Sequence, residues 1–101
     1  TSGQLGSDST GKLADGGIQP QTRQALENVK GVLALAGGQM DDVVKCTVFL
    51  ADMQEWGAMN EVYATFFPRH KPARSAVGVS GLARNGRVEI ECLAVRGAGA
   101  P

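Results

Sequence analysis

The sequence predicts an α+β fold in which two helices cover one face of a single mixed β-sheet. Two stretches repeat apolar residues at spacings of three and four, as amphipathic helices do, and the stretches around them have the alternation and β-branched residues of strands. The order of these elements is β-α-β-α-β-β. Each helix should connect two parallel strands by a right-handed crossover, while the last strand can run in the opposite direction.

Length and composition indicate one small domain. The chain has 101 residues, of which ten are acidic and ten basic, so no excess charge of one sign favours nucleic acid or an anionic membrane as a partner. The apolar runs are far shorter than the ~20 residues of a membrane-spanning helix, and the chain does not open with a secretory signal pattern. We expect a single domain at residues 1–96 and a flexible tail at 97–101.

The first two elements are a short strand and a long helix. Residues 1–5 predict the end of a strand, because they run directly into residues 6–11, which favour turns. The helix should begin near Pro20, which is tolerated in a first turn, and end at Gly37 and Gly38, since glycine readily adopts the left-handed conformation of helix C-termini. Its apolar face is predicted to comprise Ala25, Leu26, Val29, Val32, Leu33 and Ala36.

A central strand and a second helix come next. Residues 43–50 have the length and composition of a strand, and Asp52 with Glu55 resembles a capping box at the start of the helix. The strand residues predicted to face the helices are Val44, Cys46, Val48 and Leu50, and those predicted to face away are Lys45, Thr47 and Phe49. The aromatic residues of the helix are interpreted as core rather than as a ligand site: Trp56, Tyr63 and Phe66.

The last two strands are predicted at residues 73–80 and 88–95, and two arrangements of them remain open. If they form a tight hairpin at Asn85-Gly86, Arg74 and Glu89 lie on the order of 25 Å apart. If they run antiparallel without pairing, the two residues lie at opposite ends of the sheet. In both arrangements we expect Arg74 and Glu89 to share a pocket only across a boundary between subunits.

Two cysteines and one histidine are interpreted as having no catalytic role. Cys46 and Cys92 lie in separate apolar runs, without a C-x-x-C pair or a Cys/His cluster, so we expect buried free thiols, which suit a reducing cytoplasm. His70 lies in a loop between Arg69 and Lys71 with no acidic neighbour in sequence, and we expect it to be solvated.

Arg74 is the strongest candidate for a binding residue. It stands at the start of an apolar strand, directly after a loop that ends at Pro72-Ala73, and small residues share its face of the strand. Its planar, permanently charged guanidinium can form two parallel hydrogen bonds with a carboxylate, so it suits the capture of a small organic acid. An ordinary exposed arginine at a strand edge is the alternative interpretation.

Seven blocks of sequence occur in a characteristic order between Ser2 and about Arg96. They are Ser2-Gly3-Gln4, Gln21 to Lys30, Asp42 to Lys45, Thr47 to Leu50, Met59 to Tyr63, Pro72 to Ser75, and Val88 to Glu91. Together they resemble the Rid family, the YjgF-like reactive intermediate deaminases. The resemblance implies a chorismate-mutase-like (Rid-like) fold and a homotrimer with sites between subunits. Similar proteins carry a further N-terminal strand with a tyrosine, which we expect to be missing here, and many have a cysteine where this chain has Ala76.

The resemblance also implies an activity, the hydrolysis of 2-imino or enamino acids, such as 2-iminopropanoate and 2-iminobutanoate, to 2-keto acids and ammonia. Arg74 would bind the substrate carboxylate, and Glu89 would activate a water and pass its proton to the departing nitrogen. Glu91 is predicted to face the same way as Glu89 and is the alternative acid. Further substrate contacts are expected from Asn60, Ser2 and Gly3. Because an imine is already electrophilic, we expect no metal and no cofactor.

Two other functions remain open. One is a non-catalytic trimer that binds small carboxylates or protects against stress. The other is an endoribonuclease or translation inhibitor, for which a balanced charge offers little support.

Overall fold

The computed structural model describes residues 1–100, which form one mixed sheet and two helices. The strands are β1 (Gln4–Leu5), β2 (Val43–Leu50), β3 (Ala73–Gly78) and β4 (Val88–Ala94), and the helices are α1 (Ile18–Leu35) and α2 (Trp56–Thr65). The strand order in the sheet is β1-β4-β2-β3. β3 runs parallel to β2, whereas β4 runs antiparallel to both β1 and β2. The predicted α+β class is therefore confirmed, with the predicted order of elements.

The last two strands do not pair, because β2 lies between β3 and β4. The hairpin alternative is therefore wrong. Residues Ala83–Asn85 form a short 3₁₀ turn in place of a hairpin turn, and Arg84 and Asn85 adopt positive φ values of 59° and 57°. The chain thus leaves one edge of the sheet and returns on the far side of β2.

Helix α1 ends at the predicted glycines. Gly37 has a φ of 78°, and the N–H groups of Gly37 and Gly38 donate to carbonyls of the last helical turn, the pattern of a Schellman motif. Val32 is 39% exposed, and Ala36 is an exposed residue beyond the last turn, so the prediction that these two pack in the core is wrong. The other predicted core residues of α1 are buried: Ala25, Leu26, Val29 and Leu33.

Strand β2 begins with an irregularity that the sequence pattern did not reveal. The register between β2 and β4 shifts between Val43 and Lys45. Val43 is consequently buried and Val44 is 38% exposed, so the prediction that Val44 faces the helices is wrong. From Cys46 onward the predicted alternation holds.

Asp52 starts the second helical segment, but without the predicted capping box. Its carboxylate accepts a hydrogen bond of 2.9 Å from the N–H of Gln54 and so caps a 3₁₀ turn that leads into α2. Glu55, the expected partner of the box, forms an ion pair of 2.9 Å with Arg87 instead.

The hydrophobic core lies between the two helices and one face of the sheet. Its largest fully buried apolar side chains include Leu26, Val29, Val48, Leu50, Met59, Val88 and Ile90. The opposite face of the sheet, called the open face below, carries Lys45, Thr47, Phe49, Val77, Glu89, Glu91 and Leu93. Within residues 1–100, neither helix has the length and apolar character required to cross a membrane.

Cys46 and Cys92 are joined in a disulfide, so the prediction of free thiols is wrong. The antiparallel register of β2 and β4 places the two residues directly opposite each other, with their Cα atoms 4.1 Å apart. Their separation of 46 positions in the sequence concealed this proximity. The disulfide removes the argument for a reducing compartment, which rested on free thiols.

Residues 97–100 fold back against the connection between α1 and β2. The buried carboxylate of Asp42 accepts hydrogen bonds of 3.0 Å from the N–H groups of Gly99 and Gln39. These bonds, that of Gly99 above all, hold the pKa of Asp42 below its usual value. The flexibility of the 97–101 tail stays a prediction, and Pro101 lies outside the described residues.

Candidate active site

Arg74 lies near the start of β3, on the side of the sheet that faces the helices. The parallel register places it beside Cys46, a core residue of β2. Its guanidinium donates a hydrogen bond to the side-chain oxygen of Asn60. Its Cζ atom is 4.7 Å from the ring centre of Tyr63 and 5.1 Å from that of Trp56. Arg74 is therefore partly buried and held by α2, and the fold brings it together with Asn60, another predicted site residue.

The three residues that hold Arg74 form one face of α2. Trp56, Asn60 and Tyr63 are separated by four and three residues, a spacing that aligns side chains along a helix. Tyr63 is buried, as predicted, but Trp56 is 37% exposed and its ring lies against Arg74, so its interpretation as a core residue is wrong. The helical spacing of Trp56, Asn60 and Tyr63 was the signal that could have revealed this cluster.

A cleft of about 380 Å³ opens beside Arg74, between α2 and the start of β3. Its lining residues are Asn60, Tyr63, Ala64, Phe67, Lys71, Pro72 and Arg74, of which two are cationic and none is acidic. A larger surface groove of about 440 Å³ lies along α1, but it mixes acidic and basic side chains, such as Glu27 and Lys30. The cleft beside Arg74, with two cations and no acidic side chain, has a charge that suits an anion.

Neither cation of the cleft has a carboxylate partner among residues 1–100. The ion pairs within residues 1–100 are Lys12–Asp15, Arg69–Asp41 and Arg87–Glu55, and none of them includes Arg74 or Lys71. Arg74 donates to a neutral amide, and Lys71 donates to the carbonyl of Phe67 at 2.9 Å. Both side chains keep further N–H donors for a ligand.

The hydroxyl of Tyr63 is buried and has no hydrogen-bond partner within the described part of the chain. Burial raises the pKa of Tyr63 above its usual value of 10.0, although the charge of Arg74 acts in the opposite direction. The phenol is therefore neutral at physiological pH. An unsatisfied buried hydroxyl costs about 1–3 kcal/mol, so the placement of this group lowers the stability of the fold.

Glu89, Gly3 and Ser2 form a second group, on the other side of the molecule from the cleft. The pairing of β1 with β4 places Leu5 opposite Glu89, and a Cβ atom on Gly3 would overlap the Glu89 carboxylate. Glycine at this position therefore gives the Glu89 side chain its space. Ser2 is exposed beside them. Glu89 is partly buried, whereas Glu91 is exposed, which favours Glu89 as the acid of a site.

The sheet separates Arg74 from Glu89 within one chain. Arg74 is in register with Cys46 and Glu89 with Phe49, three residues further along β2, so the two side chains lie on opposite faces. Strand β2 also lies between the two residues. Three residues along the strand correspond to a further separation of roughly 10 Å. One chain thus contains two separate groups of candidate site residues, called half-sites below, which do not meet.

His70 is exposed, as predicted, and no catalytic partner was expected for it. Among residues 1–100, no three His, Cys, Asp or Glu side chains are grouped so that they could hold a metal ion.

The fold and the two half-sites define a class of small α+β proteins with a cationic cleft against the sheet. The model of the family described as Endoribonuclease L-PSP matches residues 1–96. The chain belongs to this family, which confirms the Rid or YjgF-like resemblance seen in the sequence.

Named relatives and solved structures agree with this assignment. The chain is 48% identical over 97 residues to the 2-iminobutanoate/2-iminopropanoate deaminase of Mus musculus, an overlap of 95% of this chain and 72% of the mouse protein. It superposes on yeast Mmf1 with a TM-score of 0.92 at 43% identity, covering 95% of this chain and 77% of the yeast chain. For E. coli TdcF, solved with bound serine, the TM-score is 0.90 at 40% identity, covering 95% and 78% of the two chains.

Proposed function

We propose that the chain is a cofactor-independent deaminase that hydrolyses 2-imino acids and their enamine tautomers to 2-keto acids and ammonia. The observation that carries the proposal is Arg74, a partly buried cation that α2 holds in a cleft without acidic side chains. Such a guanidinium suits the carboxylate of a small acid. The name of the mouse relative and the serine bound to E. coli TdcF support the same class of substrate.

In the proposed reaction, Arg74 holds the carboxylate next to the imine carbon. The water oxygen adds to that carbon while the C=N electron pair moves to nitrogen, and Glu89 accepts the water proton and passes it to the nitrogen. The resulting carbinolamine transfers its hydroxyl proton to the amino nitrogen as the C–N bond breaks, which releases ammonia and leaves the carbonyl of the keto acid. A carboxylate positioned for such transfers accelerates a reaction ~10²- to 10⁴-fold.

Asn60 has two roles in this proposal. Its side-chain oxygen accepts from Arg74 and so orients the guanidinium. Its amide N–H groups remain available to the substrate. The backbone of Gly3 and the hydroxyl of Ser2, on the other half-site, are also available.

We further propose that the complete site forms between subunits of a homotrimer. Support comes from the opposite faces on which Arg74 and Glu89 lie within one chain. The open face also carries apolar side chains that a second copy would bury, including Val77 at 40% exposure and Leu93 at 60%. Glu89, Ser2 and Gly3 of one subunit would then complete the cleft of its neighbour. A cytoplasmic location stays a prediction from the sequence.

The test is the rate of keto acid formation from an imine generated in situ by an amino-acid oxidase. The unmutated chain should accelerate hydrolysis, and Arg74→Ala should lower kcat/KM about 100-fold or more, because a carboxylate loses its charged partner. Arg69→Ala is the matched control, since Arg69 is an exposed arginine paired with Asp41 outside the cleft.

Two results would redirect the proposal. No acceleration by the unmutated chain would leave a non-catalytic carboxylate-binding trimer as the better interpretation. RNA cleavage that survives Arg74→Ala and falls steeply with salt would favour an endoribonuclease.

A further inference from the structure

The cleft beside Arg74 contains one more cation than a monocarboxylic imino acid requires. Arg74 accounts for the carboxylate next to the imine carbon. Lys71 lines the same cleft, and neither has a carboxylate within 4.0 Å in residues 1–100. By contrast, Arg69, two residues before Lys71, pairs with Asp41. The loop therefore directs one of its cations to an internal ion pair and leaves the other facing a cavity.

The position of Lys71 is defined by the fold. Its ammonium group donates to the carbonyl of Phe67 at 2.9 Å, just beyond the C-terminal end of α2, where unpaired carbonyls favour a positive charge. An ammonium has three donors, so two remain for another acceptor. Lys71 is exposed, and a ligand can therefore reach it without displacing protein.

The cleft has room for more than a three-carbon substrate. Its volume of about 380 Å³ corresponds to about 13 water molecules at ~30 Å³ each. A three-carbon imino acid has roughly half as many heavy atoms.

We propose that the cleft selects 2-imino dicarboxylic acids, the imines of acidic amino acids, with Arg74 holding the carboxylate next to the imine and Lys71 pairing with the acidic side chain. This inference rests on the proposed deaminase function and names its substrate class. The two cations lie in one cleft, so the substrate side chain runs from Arg74 toward Lys71. The reacting carbon stays at the Arg74 end, where the neighbouring subunit would supply Glu89.

The experiment compares two substrates of the same shape and different charge, the imines of aspartate and of asparagine, each generated in situ by an amino-acid oxidase. The unmutated chain should show a kcat/KM for the aspartate imine at least about fivefold above that for the asparagine imine, since the pair with Lys71 is partly solvated. In Lys71→Gln this ratio should fall to about one. In Arg69→Gln, the matched control on the same loop, the ratio should not change.

A binding measurement separates this inference from the proposed reaction. Titration calorimetry with succinate and with its monoamide, succinamate, should show tighter binding of succinate, and Lys71→Gln should abolish the difference. If neither imine is hydrolysed but succinate is still preferred through Lys71, the proposed activity fails while the dicarboxylate site stands. A ratio near one in the unmutated chain, or one that Lys71→Gln leaves intact, would overturn the dicarboxylate site even if imines are hydrolysed.

Discussion

At the scale of single residues, the properties of Arg74 depend on the groups around it. A lone arginine at the edge of a strand would be a surface charge, but the guanidinium of Arg74 is fixed by an amide oxygen and two aromatic rings. Contacts between a cation and a ring contribute about 0.5–1 kcal/mol at exposed sites and more where water is excluded. Tyr63 differs from Asn60 and Trp56, the other two residues that hold Arg74. Its hydroxyl is buried without a partner, and this placement lowers the stability of the fold.

The Tyr63→Phe variant should therefore be more stable than the unmutated chain. Removing an unsatisfied buried hydroxyl should raise the free energy of unfolding by about 1 kcal/mol, while the ring against Arg74 is kept. The kcat/KM for imine hydrolysis should change little, because the ring against Arg74 is kept and the buried hydroxyl does not contact the substrate. Chemical denaturation and steady-state kinetics on the same preparation measure both effects, and a loss of stability would contradict the assignment of an unpaired hydroxyl.

The same substitution should change the response to alkaline pH. Burial raises the pKa of Tyr63 above 10.0, so the folded state holds this proton more tightly than the unfolded state does. The stability that depends on the neutral phenol is complete below pH 10 and is lost as the pH rises through the raised pKa. The decline in melting temperature above pH 10 should thus be smaller in Tyr63→Phe.

At the scale of elements, Asp42 connects segments that are far apart in sequence. Its carboxylate binds the N–H of Gln39 after α1 and that of Gly99 near the C-terminus, and its own carbonyl accepts from Val95 just after β4. The end of α1, the start of β2 and the segment after β4 therefore meet at one side chain.

Asp42→Asn should lower the melting temperature at neutral pH by several degrees, because one amide oxygen cannot replace two carboxylate oxygens as acceptors. The pKa of Asp42 is held below its usual value of 3.8, so its contribution is present above pH 3.8 and is lost as the pH falls through the lowered pKa. Melting curves between pH 2 and 7 should consequently converge for the two proteins at the acid end. Asp15→Asn, at an exposed ion pair, is the control and should have little effect at any pH.

At the scale of the whole molecule, the sheet separates the candidate site residues into two groups on its opposite faces. Arg74 and its cleft lie on the helix side, whereas Glu89 and Gly3 lie toward the open face. In the proposed mechanism, a single chain therefore contains the group that binds the carboxylate and the group that transfers the proton, but no complete site. The proposed trimer joins the two half-sites across its interfaces.

Mixing two inactive variants should restore activity if the sites are shared. Arg74→Ala and Glu89→Gln each disable every site of a homotrimer, but a mixed trimer contains one interface with both original residues. Random exchange of equal amounts should thus recover about a quarter of the unmutated activity. The variants are unfolded, mixed and refolded, and keto acid formation is measured before and after. Recovery should be absent when either variant is refolded alone, and a mixture that stays inactive would place both residues of a site in one chain.

The amino-acid sequence by itself determined the elements and the family of this protein. Apolar spacing, the glycines after α1 and the β-branched run of β2 are local signals, and local physics is enough to read them. The order of the seven blocks identified the family and, through it, the candidate residues Arg74, Asn60 and Glu89.

Only the tertiary structure decided which distant groups meet. The disulfide of Cys46 with Cys92 and the placement of Arg74 and Glu89 on opposite faces of the sheet follow from strand register and from the position of β2 between β3 and β4. Register depends on how whole elements pack, and a shift of one residue turns every side chain to the other face. No local pattern along this chain contains that information.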